Sequence, residues 1–185
     1  MSQIAFDVPY VEPRNRLTVA FRLILAIPHL ILLGLWQNVT EFAAVIHWFI
    51  IVFTGKRNDS LWQFTDSYVG YMTRVNAYTG ILYDEYPQFF TDASGVPVTY
   101  SIAQQPEPAN RLTVGLRFIW AIPALVIAIG VGIAGIVIGI ISWFAIVITG
   151  KMPRGNFDFM VKVQRYLIQT NAYVLLLTDT YPAWN

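Results

Sequence analysis

The sequence predicts an all-α integral membrane protein of two tandem repeats, each a transmembrane helical hairpin followed by an interfacial amphipathic helix, with a short β arm ahead of each repeat. Three observations predict it. Hydrophobic residues make up 56% of the 185 and charged residues 12%, about half the charged share of a soluble domain, with a mean hydropathy of +0.51. Sliding the chain on itself by 95 residues lays Asn15 on Asn110 and runs without a gap to Pro87 on Pro182, the mark of a duplicated structural unit. Long apolar stretches with almost no charge recur at the same place in both copies.

The first repeat covers residues 1–87. Its polar start is mixed in charge and lacks the basic, apolar and small-residue blocks of a removable signal, and IAFDVPY reads as a short extended arm. From Leu17 to Trp36 the one charge is Arg22, so a first spanning helix is expected over 17–36. Gln37, Asn38, Thr40 and Glu41 then suit a polar hairpin tip, and a second helix follows over 40–54. Apolar residues spaced by three and four from Leu61 to Leu82 predict an amphipathic helix over 60–83, ended by Tyr86-Pro87. The stretch 88–108 is rich in Pro, Gly and Ser and reads as the linker, with VPVTYSI as the second arm and a small sheet joining the two arms.

The second repeat, 109–185, repeats this plan with helices expected over 112–129, 133–149 and 156–178. Residues 112–149 carry one charge, Arg117, and exceed an ordinary span. A turn is therefore expected at Gly130, Gly132 and Gly135. Lys and Arg flank both hairpins and avoid their tips, which places both termini and the linker in the cytoplasm.

A net charge of +1 leaves nothing to neutralise nucleic-acid phosphates, and the absence of cysteine removes disulfides and thiolate chemistry. TGK at Thr54–Lys56 and Thr149–Lys151 lacks the rest of a phosphate loop and reads as a glycine helix cap with a snorkelling lysine. His29 and His47 on antiparallel helices could hold a haem between two imidazoles; packed histidines are the stronger reading, and no cofactor or metal is expected. Gly135 and Gly139 form a GxxxG pair that brings helices close. The polar residues shared by both copies are the main candidates for a role: Arg16 and Arg111, Arg22 and Arg117, Lys56 and Lys151, Asn76 and Asn171, Asp84 and Asp179. They suit either anionic lipid headgroups or internal ties in which the aspartates lock the amphipathic helices to the hairpins. The internal role is the stronger of the two.

The motifs NRLTVxxRxxxAIPxL, WFxIVxTGK and NAYxxxLxDxYP, present in both halves, resemble an uncharacterised family of bacterial integral membrane proteins known as a domain of unknown function. The resemblance implies a helical protein of the bacterial inner membrane and supplies no catalytic residue. With no matched acid, base or nucleophile, the expectation is a non-enzymatic accessory or scaffold subunit of a larger membrane assembly, in contact with lipid and with other subunits or copies of itself. An anionic-lipid-binding or transport-related module is the alternative, and a haem electron-transfer protein the weakest reading.

Overall fold

The computed structural model describes residues 4–90, 93–104 and 108–184. Within the expected linker, 91–92 and 105–107 lie outside the described residues, as do 1–3 and 185. The order of elements is β1 (Ile4–Asp7), α1 (Arg16–Ala20), α2 (Arg22–Thr54), α3 (Asp59–Thr79), β2 (Thr99–Ile102), α4 (Arg111–Gly115), α5 (Arg117–Thr149) and α6 (Arg154–Val174). The two-fold repetition of the sequence is thus repeated element by element.

The expected hairpin within each apolar stretch is corrected. α2 and α5 are single helices of 33 residues, each about 50 Å long at 1.5 Å per residue. The polar residues assigned to a tip find partners inside the helix: the Asn38 side chain donates to the Gly34 carbonyl at 2.6 Å, Thr40 to the Trp36 carbonyl at 2.9 Å, and Gln37 to Glu41 at 2.7 Å. Such i to i+4 bonds satisfy polar groups without a turn. Gly130, Gly132 and Gly135 keep negative φ, unlike Gly55 and Gly150, which end α2 and α5 in the left-handed conformation at φ 74° and 77°. Among the described residues two helices, not four, are long and apolar enough to cross a membrane, and only 22% and 17% of their most apolar windows are buried.

Each long helix does form a hairpin, with the amphipathic helix as its partner. α2 packs on α3, and α5 on α6, along a stripe that in α2 runs through Arg22, Ala26, His29, Leu33, Thr40, His47 and Ile51. α3 and α6 are the most buried helices and meet at the centre. They end short of the expected Tyr-Pro stops, where Ile81 and Leu176 turn into positive φ and Leu82 and Leu177 donate back to Ala77 and Ala172. This closes each helix in the manner of a Schellman cap.

β1 and β2, the two expected arms, pair antiparallel with Ile4 opposite Ile102 and Asp7 opposite Thr99. The sheet rests on the central helices. The Tyr100 ring covers Gly70 of α3, and Arg165 of α6 donates to the Phe6 carbonyl. Neither strand contacts α2 or α5, so the molecule has three layers: sheet, central helices, long helices.

The repeats are stitched across one another. Arg14 N–H donates to the Gly150 carbonyl and Ala109 N–H to the Gly55 carbonyl, both at 2.9 Å. The Trp48 indole donates to Val114, and the Trp143 indole to Val19. Each long helix therefore begins where the other ends, and the two run antiparallel about a pseudo-two-fold axis perpendicular to both.

Candidate functional site

The shared polar residues assemble at two equivalent places. Arg22, almost fully buried, donates to the Tyr78 and Tyr83 carbonyls at 3.0 and 2.6 Å and to Asp84 at 2.6 Å, with its guanidinium 4.5 Å from the Tyr78 ring. Arg117 repeats each contact with Tyr173, Thr178 and Asp179. An arginine near the start of each long helix thus binds a carbonyl in the last turn of its amphipathic helix and another just beyond it. Burial raises the Tyr78 and Tyr173 hydroxyl pKa values, and the neighbouring arginines pull the other way. Asp84 also accepts from the Asn15 N–H at 2.9 Å. Asp179 accepts from Arg57 as well, across the repeat boundary.

Arg111 lies over Gly55 and donates to the Thr54 carbonyl at 2.9 Å, and Arg16 lies over Gly150. Each sits at the C-terminus of the other repeat's long helix, where a cation suits the helix dipole. The exposed Lys56 and Lys151 stand beside them. The Asn171 side chain donates within its own helix to Leu167, and the Asn76 carbonyl accepts from Gln164 at 3.0 Å. Gly135 and Gly139 face α6, where a Cβ on Gly135 would meet Val163 at 3.0 Å.

The histidines do not converge. They are 18 residues apart on one continuous helix, about 27 Å at its rise, so a bis-imidazole haem is ruled out by geometry. His29 Nδ1 lies 2.6 Å from the Tyr71 hydroxyl and its ring stacks on Phe89. His47 Nε2 accepts the Asn58 backbone N–H at 3.1 Å. In the second repeat Ser142 replaces His47 and Pro153, which has no N–H to satisfy, replaces Asn58. Among the described residues no three His, Asp or Glu cluster as a metal site would need.

An open groove lies beside the second repeat's long helix. The groove, of about 640 Å3, runs between the middle of α5, α6, the end of α3 and the start of α2, a volume typical of small-molecule sites. Gly132, Gly135 and Gly139 form its wall, and Ile136, Ile140 and Leu23 its apolar rim. Two buried polar side chains reach it, Gln164 and Arg22, and the Gln164 Oε1 and Arg22 Nε atoms have no hydrogen-bond partner. At the pseudo-symmetric place in the other half Gly135, Gly139, Gly80, Val163 and Leu23 are replaced by the larger Thr40, Ala44, Leu175, Tyr68 and Phe118, and Gln164 by Val69.

A family profile described as a domain of unknown function (DUF4389) matches residues 16–91 and again 111–184. The chain belongs to the DUF4389 family. The two DUF4389 segments coincide with the two structural repeats, each opening at α1 or α4 and closing beyond α3 or α6. No curated protein and no solved structure matches the chain. Within this DUF4389 pair, sequence reasoning selected the residues common to both repeats; of these Arg22, Arg117, Asp84, Asp179 and Arg111 bond between elements, whereas Lys56 and Lys151 stay exposed and the Asn171 side chain bonds within its own helix. Gln164 and Gly80 were missed, and so were the buried Arg14 and Arg57, while Gly132 was assigned to a turn. The signal for the groove lay in the positions where the copies differ in size.

Proposed function

We propose that this chain is a non-enzymatic protein of the bacterial cell membrane that holds a lipid in the groove beside α5. The observation that carries the reading is the asymmetry between the repeats. Duplication supplies two equivalent places, and small residues line one of them beside Gln164, whose unpaired Oε1 has no counterpart in the other half, where Val69 stands; the Arg22 Nε is unpaired as well, as is that of Arg117. An unpaired buried polar group costs about 1–3 kcal/mol, which a ligand offering the complementary group relieves. An acyl chain suits the glycine wall, the Arg22 N–H suits an ester carbonyl or phosphate oxygen, and the Gln164 oxygen suits a hydroxyl. Of Arg22 only the Nε–H is left for such a ligand, since its terminal nitrogens bond Tyr78, Tyr83 and Asp84, while Arg16 and Arg111 cap helix ends and Arg117 is tied internally in the other half.

A second reading keeps the chain as an accessory or scaffold subunit of a larger membrane assembly, or a self-associating one. The exposed Leu, Ile and Phe side chains along α2 and α5 favour it, since some of that surface could meet protein. Native mass spectrometry of the chain extracted gently from its own membrane separates the two. Retained lipid is expected, and Gly132→Leu and Gly139→Leu should each lower its occupancy at least five-fold while the chain stays folded. A Cβ on Gly132 meets nothing within 4 Å, and one on Gly139 meets only Met160 at 4.0 Å. Equal lipid retention by wild type and both variants would overturn the groove reading, and a stoichiometric protein partner would establish the second.

A further inference from the structure

From the geometry we infer that the two long helices lie in the plane of the membrane, embedded in one leaflet, instead of crossing it. Four observations converge. First, α2 and α5 run antiparallel, so the pseudo-two-fold axis is perpendicular to them and passes at their mid-length. Second, the β1–β2 sheet sits on that axis, because its register exchanges Ile4 with Thr99 and Asp7 with Ile102 under the same 95-residue shift. Upright helices would carry the sheet, with its two open edges, to the bilayer midplane. Open edges are not tolerated in hydrocarbon.

Third, charge lies at that same level. Gly70 sits under Tyr100 of the sheet, and the adjacent Tyr71 packs on His29 and Trp36, well inside α2. Asp66, which accepts from the Tyr100 hydroxyl at 2.8 Å, Arg165 at the sheet and the exposed Lys162 would all be placed near mid-membrane, where charge is costly. Fourth, both ends of the pair are basic: Arg14, Arg16 and Lys151 at one, Lys56, Arg57 and Arg111 at the other. A spanning pair following the positive-inside rule would carry its basic residues at one end.

Laid flat, the molecule satisfies all four. The long helices turn Leu23, Ile27, Leu35, Phe42 and Phe49 of α2 and Phe118, Ile122, Val137 and Phe144 of α5 into one leaflet, the exposed Arg16 and Lys151 at one end and Lys56 and Arg111 at the other reach the headgroups, and the sheet stands in water above the central helices. This is the arrangement of an interfacial protein. It replaces the multi-pass placement with cytoplasmic termini that the charge pattern alone had suggested. A single lipid leaflet is the partner this face fits.

The cysteine-free sequence makes the test direct. Single cysteines at the exposed positions Leu23, Leu35, Phe53 and Lys162 of the full chain carry a fluorophore in vesicles of mixed zwitterionic and anionic lipid, and quenching by lipids bearing nitroxides at graded depths gives each position's depth. In-plane embedding predicts similar shallow depths at 23, 35 and 53, and a water-exposed 162. A depth profile that peaks at 35, with 23 and 53 labelled by an impermeant reagent from opposite sides, would overturn it. Failure to float with vesicles would overturn the membrane reading itself. The lipid-occupancy measurement on the groove variants is independent of all three outcomes.

Discussion

At the scale of single residues, what matters most is how each charge inside the molecule is answered. Asp84 receives one guanidinium and one backbone N–H, whereas Asp179 receives two guanidinium groups. Removing one partner of a buried pair leaves the other uncompensated. Asp84→Asn should therefore lower stability by about 1–2 kcal/mol and Asp179→Asn by about 2–4 kcal/mol, read from thermal unfolding in detergent by circular dichroism. Equal losses would mean that Arg57 gains little from Asp179. His47 gives a second case, because its role is tied to a single donor. His47→Ser should cost about 1–2 kcal/mol in the natural sequence and nothing further in an Asn58→Pro background, where the N–H it serves is gone. A double-mutant cycle with no coupling would show that His47 is held by packing alone.

At the scale of elements, the decisive joints are the ends of the long helices. Gly55 and Gly150 are the only described glycines besides Gly95 with positive φ, and a Cβ on either would press on an arginine of the other repeat, at 2.8 Å from Arg111 Nε and 3.0 Å from Arg16 Nε. Gly55→Ala and Gly150→Ala combine left-handed strain with that crowding and should each destabilise by about 1–3 kcal/mol, seen as a lower midpoint in the same melts. Gly132→Leu should behave in the opposite way. It replaces a poor helix former in open space and should leave the midpoint unchanged or raised, by up to about 1 kcal/mol. The cap glycines were legible from their place after TG, but the glycines that hold space open were not, since Gly132 and Gly135 within an apolar run look the same as glycines of a turn.

At the scale of the whole molecule, the two repeats are interlocked. Each α1 or α4 packs on the other repeat's long helix, and α3 packs on α6. The buried groups that hold the ends, including the Val19 and Val114 carbonyls, receive their donors from across the boundary. Unfolding should therefore be one cooperative transition. Residues 1–90 expressed alone should give no melting transition of their own, and two resolved transitions in the full chain would contradict the interlocked account.

What the sequence determined by itself was the duplication, the helical and apolar character, the two β arms, the glycine caps after TG and the set of shared polar residues. Each of these follows from local periodicity, from composition or from self-comparison. What only the tertiary structure decided was whether each apolar run turned back, where the amphipathic helix docked and where a groove stayed open. Gln37, Asn38 and Thr40 look the same at a hairpin tip as in a helix that satisfies them along its own length, and that choice is made by the stripe running through Leu33 and His47 against α3. Arg22 and Asp84, 62 residues apart in the chain, could be chosen as partners from repetition, but their meeting depends on α3 ending at Thr79 and the chain turning back at Ile81. The groove depends on side chains from four helices, and a volume left between distant elements has no counterpart in any one stretch of sequence.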